Sequence, residues 1–134
     1  MRGILAGLIL LFCSQGFAQD KQYISYLAEI NYTDSFTIGD LRVEFVELIT
    51  DSRCPKLVTC IWAGEAKVRV AIYQGKTFLE SKELVFPALG SVDLKTNSLF
   101  NSDDIRITAV ALYPYPLRPD KIPFDQYSLE IKVN

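Results

Sequence analysis

The chain is 134 residues long, carries 14 basic and 16 acidic side chains, and contains no histidine. That length suits one domain, and without a concentrated basic stripe nucleic-acid binding is excluded as a working reading. The missing histidine removes Ser-His-Asp and Cys-His nucleophile systems and every histidine-ligated metal site.

The first segment reads as a targeting signal. Arg2 precedes the apolar run ILAGLILLF at 4–12, and Gly16 and Ala18 form a small-x-small exit before Gln19. This is the pattern of a cleaved secretory signal peptide over residues 1–18. The apolar run falls short of the ~20 residues a spanning helix needs, so no transmembrane anchor is expected after cleavage. Cys13 raises the question of a lipoprotein, but bulky Phe12 directly before it fits acylation poorly. The expected mature chain, 19–134, is exported to the periplasm or secreted. Without Arg2 it holds 13 basic and 16 acidic residues.

The mature segment alternates with period two. Ile24, Tyr26, Ala28 and Ile30 form one apolar face. Leu41, Val43 and Phe45 form the next, and there the phase slips, because Phe45 and Val46 are adjacent. One extra residue explains the slip, so a β-bulge is expected near Val46; a strand buried on both faces is the competing account. Ala66, Val68, Val70 and Ile72 alternate with Lys67, Arg69 and Ala71. Ile105, Ile107, Ala109 and Ala111 make a further set, and Tyr127, Leu129, Ile131 and Val133 the last. Such alternation marks half-buried strands. Turn residues fall between them at Gly39-Asp40, Gln74-Gly75-Lys76, Pro87–Gly90 and Asn101–Asp104. Only 91–100, SVDLKTNSLF, offers helical character, enough for about one turn. The expected fold is an all-β, single-domain antiparallel sandwich of about seven strands, with a small β-barrel as the alternative.

Two cysteines remain after cleavage, Cys54 and Cys60, within DSRCPKLVTCIWAG at 51–64. An even count in an exported chain predicts a disulfide. The spacing is wider than a Cys-x-x-Cys redox pair, and no second pair completes a zinc site. A staple closing so short a ring contributes roughly 2 kcal/mol. Its flanks supply structural candidates: Asp51 and Ser52 as turn caps, Arg53 as a bidentate partner of Asp51 or Glu65, and Gly64 where two backbone segments approach closely. They also supply a candidate ligand or partner patch of Arg53, Trp62 and Glu65, with Trp62 facing either the core or a ligand.

This stretch also carries a resemblance. DSRCP, then CIWAGEA leading into an alternating strand, with LYPYP and a closing Tyr-x-Leu-x-Ile strand further on, resembles a pattern in small secreted proteins of Bacteroidetes-like bacteria. The resemblance implies a secreted β-domain and brings no activity, so no catalytic residue is carried over from it.

The stretch 112–127, LYPYPLRPDKIPFDQY, holds four prolines. Proline cannot donate to a ladder, so an extended surface connection is expected. Its Tyr113, Tyr115 and Phe124 either seal the core or form an aromatic groove for a peptide or sugar. The carboxylates pair as Asp51 with Glu65 or as Asp103 with Asp104, the minimum for glycan hydrolysis. The turn at 101–104 offers oxygen ligands but lacks the EF-hand spacing, and no metal or other cofactor is expected. The leading functional expectation is a non-catalytic binding or structural domain with a protein or glycan partner in the envelope. A small carboxylate-dependent glycan hydrolase and a protein-inhibitor module are the alternatives.

Overall fold

The computed structural model describes Gly16 and residues 24–134. The expected signal segment 1–18, Gly16 apart, and with it Cys13, lies outside the described residues. Eight strands form: β1 (Tyr26–Asn31), β2 (Ser35–Ile38), β3 (Leu41–Asp51), β4 (Glu65–Gln74), β5 (Thr77–Pro87), β6 (Ser98–Asn101), β7 (Arg106–Tyr113) and β8 (Ser128–Val133). A short 3-10 turn covers Phe124–Gln126. One antiparallel sheet has the order β1-β8-β7-β6 and the other β2-β3-β4-β5. The strands therefore follow one another in chain order around the molecule. Two seams, β1/β2 and β5/β6, stay unpaired, which makes the fold a sandwich rather than the alternative barrel.

The alternating faces meet in one core. Val43, Phe45, Ala66, Val68, Val70 and Ile72 line it from one sheet, and Ile107, Ala109, Leu129, Ile131 and Val133 from the other. Burying such side chains contributes about 1.5–3 kcal/mol each. The expected bulge is present: the β3–β4 register shifts between Phe45 and Glu47, which leaves Val46 unpaired. Both two-residue hairpins also form, since Ile38 pairs Leu41 around Gly39-Asp40 and Gln74 pairs Thr77 around Gly75-Lys76.

Two features differ from the sequence reading. In β7 the apolar phase does not run through Ala111. The register shifts between Ala109 and Ala111, so a bulge at Val110 turns Leu112 into the core in its place. The stretch 91–100 forms a single tight turn and then strand β6. Asp93 caps the turn, its carboxylate accepting the Lys95 and Thr96 N–H groups at 2.8 and 3.3 Å. These bonds, led by that from Lys95, hold the Asp93 carboxyl below its usual pKa.

Asn97 latches the β5/β6 seam. It is fully buried. Its side-chain oxygen accepts the Val85 N–H at 3.0 Å and its amide donates to the Val85 carbonyl at 2.9 Å. The side chain thus stands in for a strand residue against the open edge of β5, while its own carbonyl accepts the Ala109 N–H. The Lys82 ammonium adds a contact to the Ser98 carbonyl across the same seam. A buried amide that loses its partner costs about 1–3 kcal/mol. Asn97→Ala strips two backbone groups at once and is expected to destabilise by about 2–4 kcal/mol, measured as a drop in the urea midpoint with unchanged slope; a loss below 1 kcal/mol would remove the latch role.

Candidate functional site

The β3–β4 connection (52–64) and the β7–β8 connection (114–127) leave different sheets and meet at one end of the sandwich. Their contact is built around Arg53, which is only 5% exposed. Its Nε and one Nη donate to the two oxygens of Asp51, each at 2.8 Å. The other Nη donates to the Leu112 carbonyl at 2.9 Å, and the first also reaches the Pro114 carbonyl at 3.0 Å. The Tyr113–Pro114 peptide preceding that carbonyl is cis. Tyr127 donates its hydroxyl to Asp51 Oδ2 at 2.8 Å. One cation from the β3–β4 connection thereby holds two carbonyls, one in β7 and one just beyond it.

A buried carboxylate needs this company. Desolvation raises the Asp51 pKa, but the hydrogen bonds from Arg53 and Tyr127 and the Arg53 charge outweigh it, and the net shift is downward. Burial, with the Asp51 carboxylate beside it, pushes Tyr127 far upward, so the phenol stays a neutral donor. Among the described residues no buried side-chain nitrogen or oxygen lacks a partner.

The rest of the loop is fastened from both sides. Tyr115 lies half-buried with its hydroxyl on the Cys54 carbonyl at 2.7 Å and its ring near the Arg53 guanidinium and the Lys56 ammonium, at 5.1 and 5.5 Å. The Lys56 and Leu57 N–H groups donate to the Pro116 and Leu117 carbonyls at 3.1 and 3.0 Å. Cys54 and Cys60 form the expected disulfide, their Cα atoms 5.9 Å apart. Ser52 Oγ bonds both backbone groups of Glu65. Gly64 has φ +77°, and a Cβ there would sit 1.8 Å from the Ser52 carbonyl oxygen, so no side chain fits.

With Arg53 and Tyr115 packed inward, the stapled loop presents its apolar side chains to solvent. Ile61 is 92% exposed, Trp62 81%, Leu57 67% and Leu117 57%, with Val58 also exposed. The sequence reading singled out Trp62 and missed its four neighbours. A signal for three of them exists in KLVTCIW, where the apolar residues lie in and just beyond a ring too small to bury them; Leu117 lies in the other connection. Of the other candidates, Glu65 keeps an exposed side chain 3.5 Å from Lys67 and Tyr113 is exposed at the end of β7. Phe124 stacks on Tyr32 at 5.8 Å, bracing the long connection against the β1–β2 turn.

One concave feature lies beside the tip and another at the opposite end of β7. A groove of about 420 Å³ runs between the second half of β3 and residues 116–124, with Leu48, Ile49, Pro119 and Ile122 on its walls and Asp51 and Tyr127 at its base. A second depression, about 530 Å³, lies over the 101–106 turn that holds Asp103 and Asp104. In the hydrolase alternative Asp51 would need a free carboxylate oxygen, and both of its oxygens are bonded to Arg53. Among the described residues no group of three or more Cys, Asp or Glu side chains is placed to hold a metal ion. Comparison with family models, with curated proteins and with solved structures gives no match.

The Asp51–Arg53 pair makes stability depend on acid. The folded Asp51 pKa lies below its unfolded value near 3.9, so its contribution is complete above about pH 5 and is lost as pH falls through the folded value. Asp51→Asn is expected to lower neutral-pH stability by about 3 kcal/mol and to narrow its deficit against wild type below about pH 3. Denaturant titrations across pH 2–7 measure this; a deficit that does not shrink in acid would show that Asp51 is not the titrating partner.

Proposed function

We propose that the protein is an exported, non-catalytic binding domain that docks onto a component of the cell envelope through the stapled tip of the β3–β4 connection. Ile61 and Trp62, exposed at 92% and 81% beside a disulfide, carry this reading. A single exposed apolar residue needs no explanation, but four in one short connection, Leu57, Val58, Ile61 and Trp62, do. Trp is the side chain most enriched where binding energy concentrates. The cluster sits on a ring that a disulfide and two backbone bonds hold in place, so little ordering cost remains to be met on binding.

The export half of the reading is supported by the targeting pattern at 1–18 and by the disulfide, which persists in oxidising compartments.

The test is retention on washed cell envelopes. The wild-type protein, produced from the full chain, should sediment with them. Ile61→Ser/Trp62→Ser should reduce retention by about tenfold or more, with its thermal midpoint unchanged because neither side chain packs in the core. Equal retention of the two proteins would overturn the tip as the docking element.

A further inference from the structure

The chemistry of the tip narrows what it docks onto, and this step rests on the docking role proposed above. We infer that the occupant is the surface of a phospholipid bilayer bearing anionic headgroups. Three observations converge on it.

The first is shape. Leu57, Ile61, Trp62 and Leu117 stand out from the surface at exposures that leave no cavity wall around them. A protein partner would have to supply a matching hollow within an interface of about 1,000 Å² or more. A fluid bilayer closes around any convex shape, and tryptophan settles at its headgroup level.

The second is the state of the backbone. Within the ring the Cys54 N–H donates to the Ala63 carbonyl, Lys56 to Pro116, Leu57 to Leu117 and Val58 to Pro55. Residue 55 is proline and has no N–H. The amides of 54–58, the part of the connection that carries Leu57 and Val58, are therefore satisfied inside the protein, as apolar surroundings demand of backbone that meets them.

The third is charge. Residues 52–64 contain no carboxylate, and 114–127 contain two, Asp120 and Asp125. Arg53 is neutralised by Asp51, which leaves Lys56, Arg118 and Lys121, all exposed, against the exposed Asp120 and Asp125. The chain as a whole is net negative, whereas these two connections carry one net positive charge. Lys56, Arg118 and Lys121 in the same two connections as an exposed apolar tip match the order of layers in an anionic membrane: headgroup charge outside, acyl boundary within. The aliphatic stems of Lys and Arg let their charges stay with the headgroups while the tip goes deeper.

The experiment uses vesicles of phosphatidylcholine with and without phosphatidylglycerol. Trp62 is the only tryptophan of the chain, so its emission reports on the tip alone. The wild-type protein should co-sediment with phosphatidylglycerol vesicles, shift its emission to the blue, and bind phosphatidylcholine alone about tenfold more weakly. Leu57→Ser/Ile61→Ser keeps the reporter and should lose the shift and about tenfold in binding. It also controls for the apolar run at 4–12, which it leaves intact. Lys56→Gln/Arg118→Gln/Lys121→Gln should erase the preference for phosphatidylglycerol. Binding unchanged in the Leu57/Ile61 variant would overturn the inference. Tip-dependent retention on envelopes with no binding to vesicles would also overturn it, while leaving the docking role standing with a protein or glycan as its object. Failure on both envelopes and vesicles would remove both.

Discussion

A guanidinium buried between two loops is the constraint on which this end of the molecule is built. Taking a cation out of water costs several kcal/mol, and Arg53 recovers that cost through a bidentate carboxylate and two carbonyls, one in β7 and one just beyond it. Arginine suits the position because its fork is planar and permanently charged; a lysine in the same place could not hold Asp51 by two parallel bonds while reaching Leu112 and Pro114. The geometry also fixes partners at a distance. Asp51 is held for Arg53 by Tyr127, and Tyr115 is held across the guanidinium by the Cys54 carbonyl.

The exposed tip follows from that arrangement. With Arg53, Tyr115 and Pro116 turned inward, the ring closed by Cys54 and Cys60 and the two residues that follow it leave Leu57, Val58, Ile61 and Trp62 exposed. Hydrophobic side chains that a loop cannot bury are normally a liability. Here they are presented on a rigid mount, at the end where the connections of both sheets come together. The opposite problem, the open seam of the sandwich, is solved by the buried amide of Asn97, which completes the edge of β5 without adding a strand.

The sheets were legible because period two survives wherever a strand has one wet and one dry face. Ala66–Ile72 and Tyr127–Val133 show it without interruption, and the slip at Val46 showed its own bulge. The slip at Val110 did not, because Ala109, Val110, Ala111 and Leu112 are all apolar and leave no polar marker of phase. Strand β6 was hidden for a different reason: four residues carry too little alternation, and Asn97, which fixes its place, acts through a side chain bonded twelve residues back. At the candidate site the Asp51–Arg53 pair was readable as a local i, i+2 contact. The depth of Arg53 was not, since it is set by carbonyls 59 and 61 residues away. The groups read as a ligand patch therefore divide: Arg53 and Tyr115 turn inward as fasteners, while Trp62 remains outside.

If Arg53 is the fastener of the two connections, its loss should free them before it loosens the sheets. Native-state hydrogen exchange measured on wild type and on Arg53→Lys decides this, read at the Lys56 and Leu57 amides that cross to Pro116 and Leu117 and at Val68 and Ile131 in the core. Protection at Lys56 and Leu57 should fall by about a hundredfold or more while Val68 and Ile131 lose only what global stability loses. Equal loss at all four amides, or none at Lys56 and Leu57, would contradict the account.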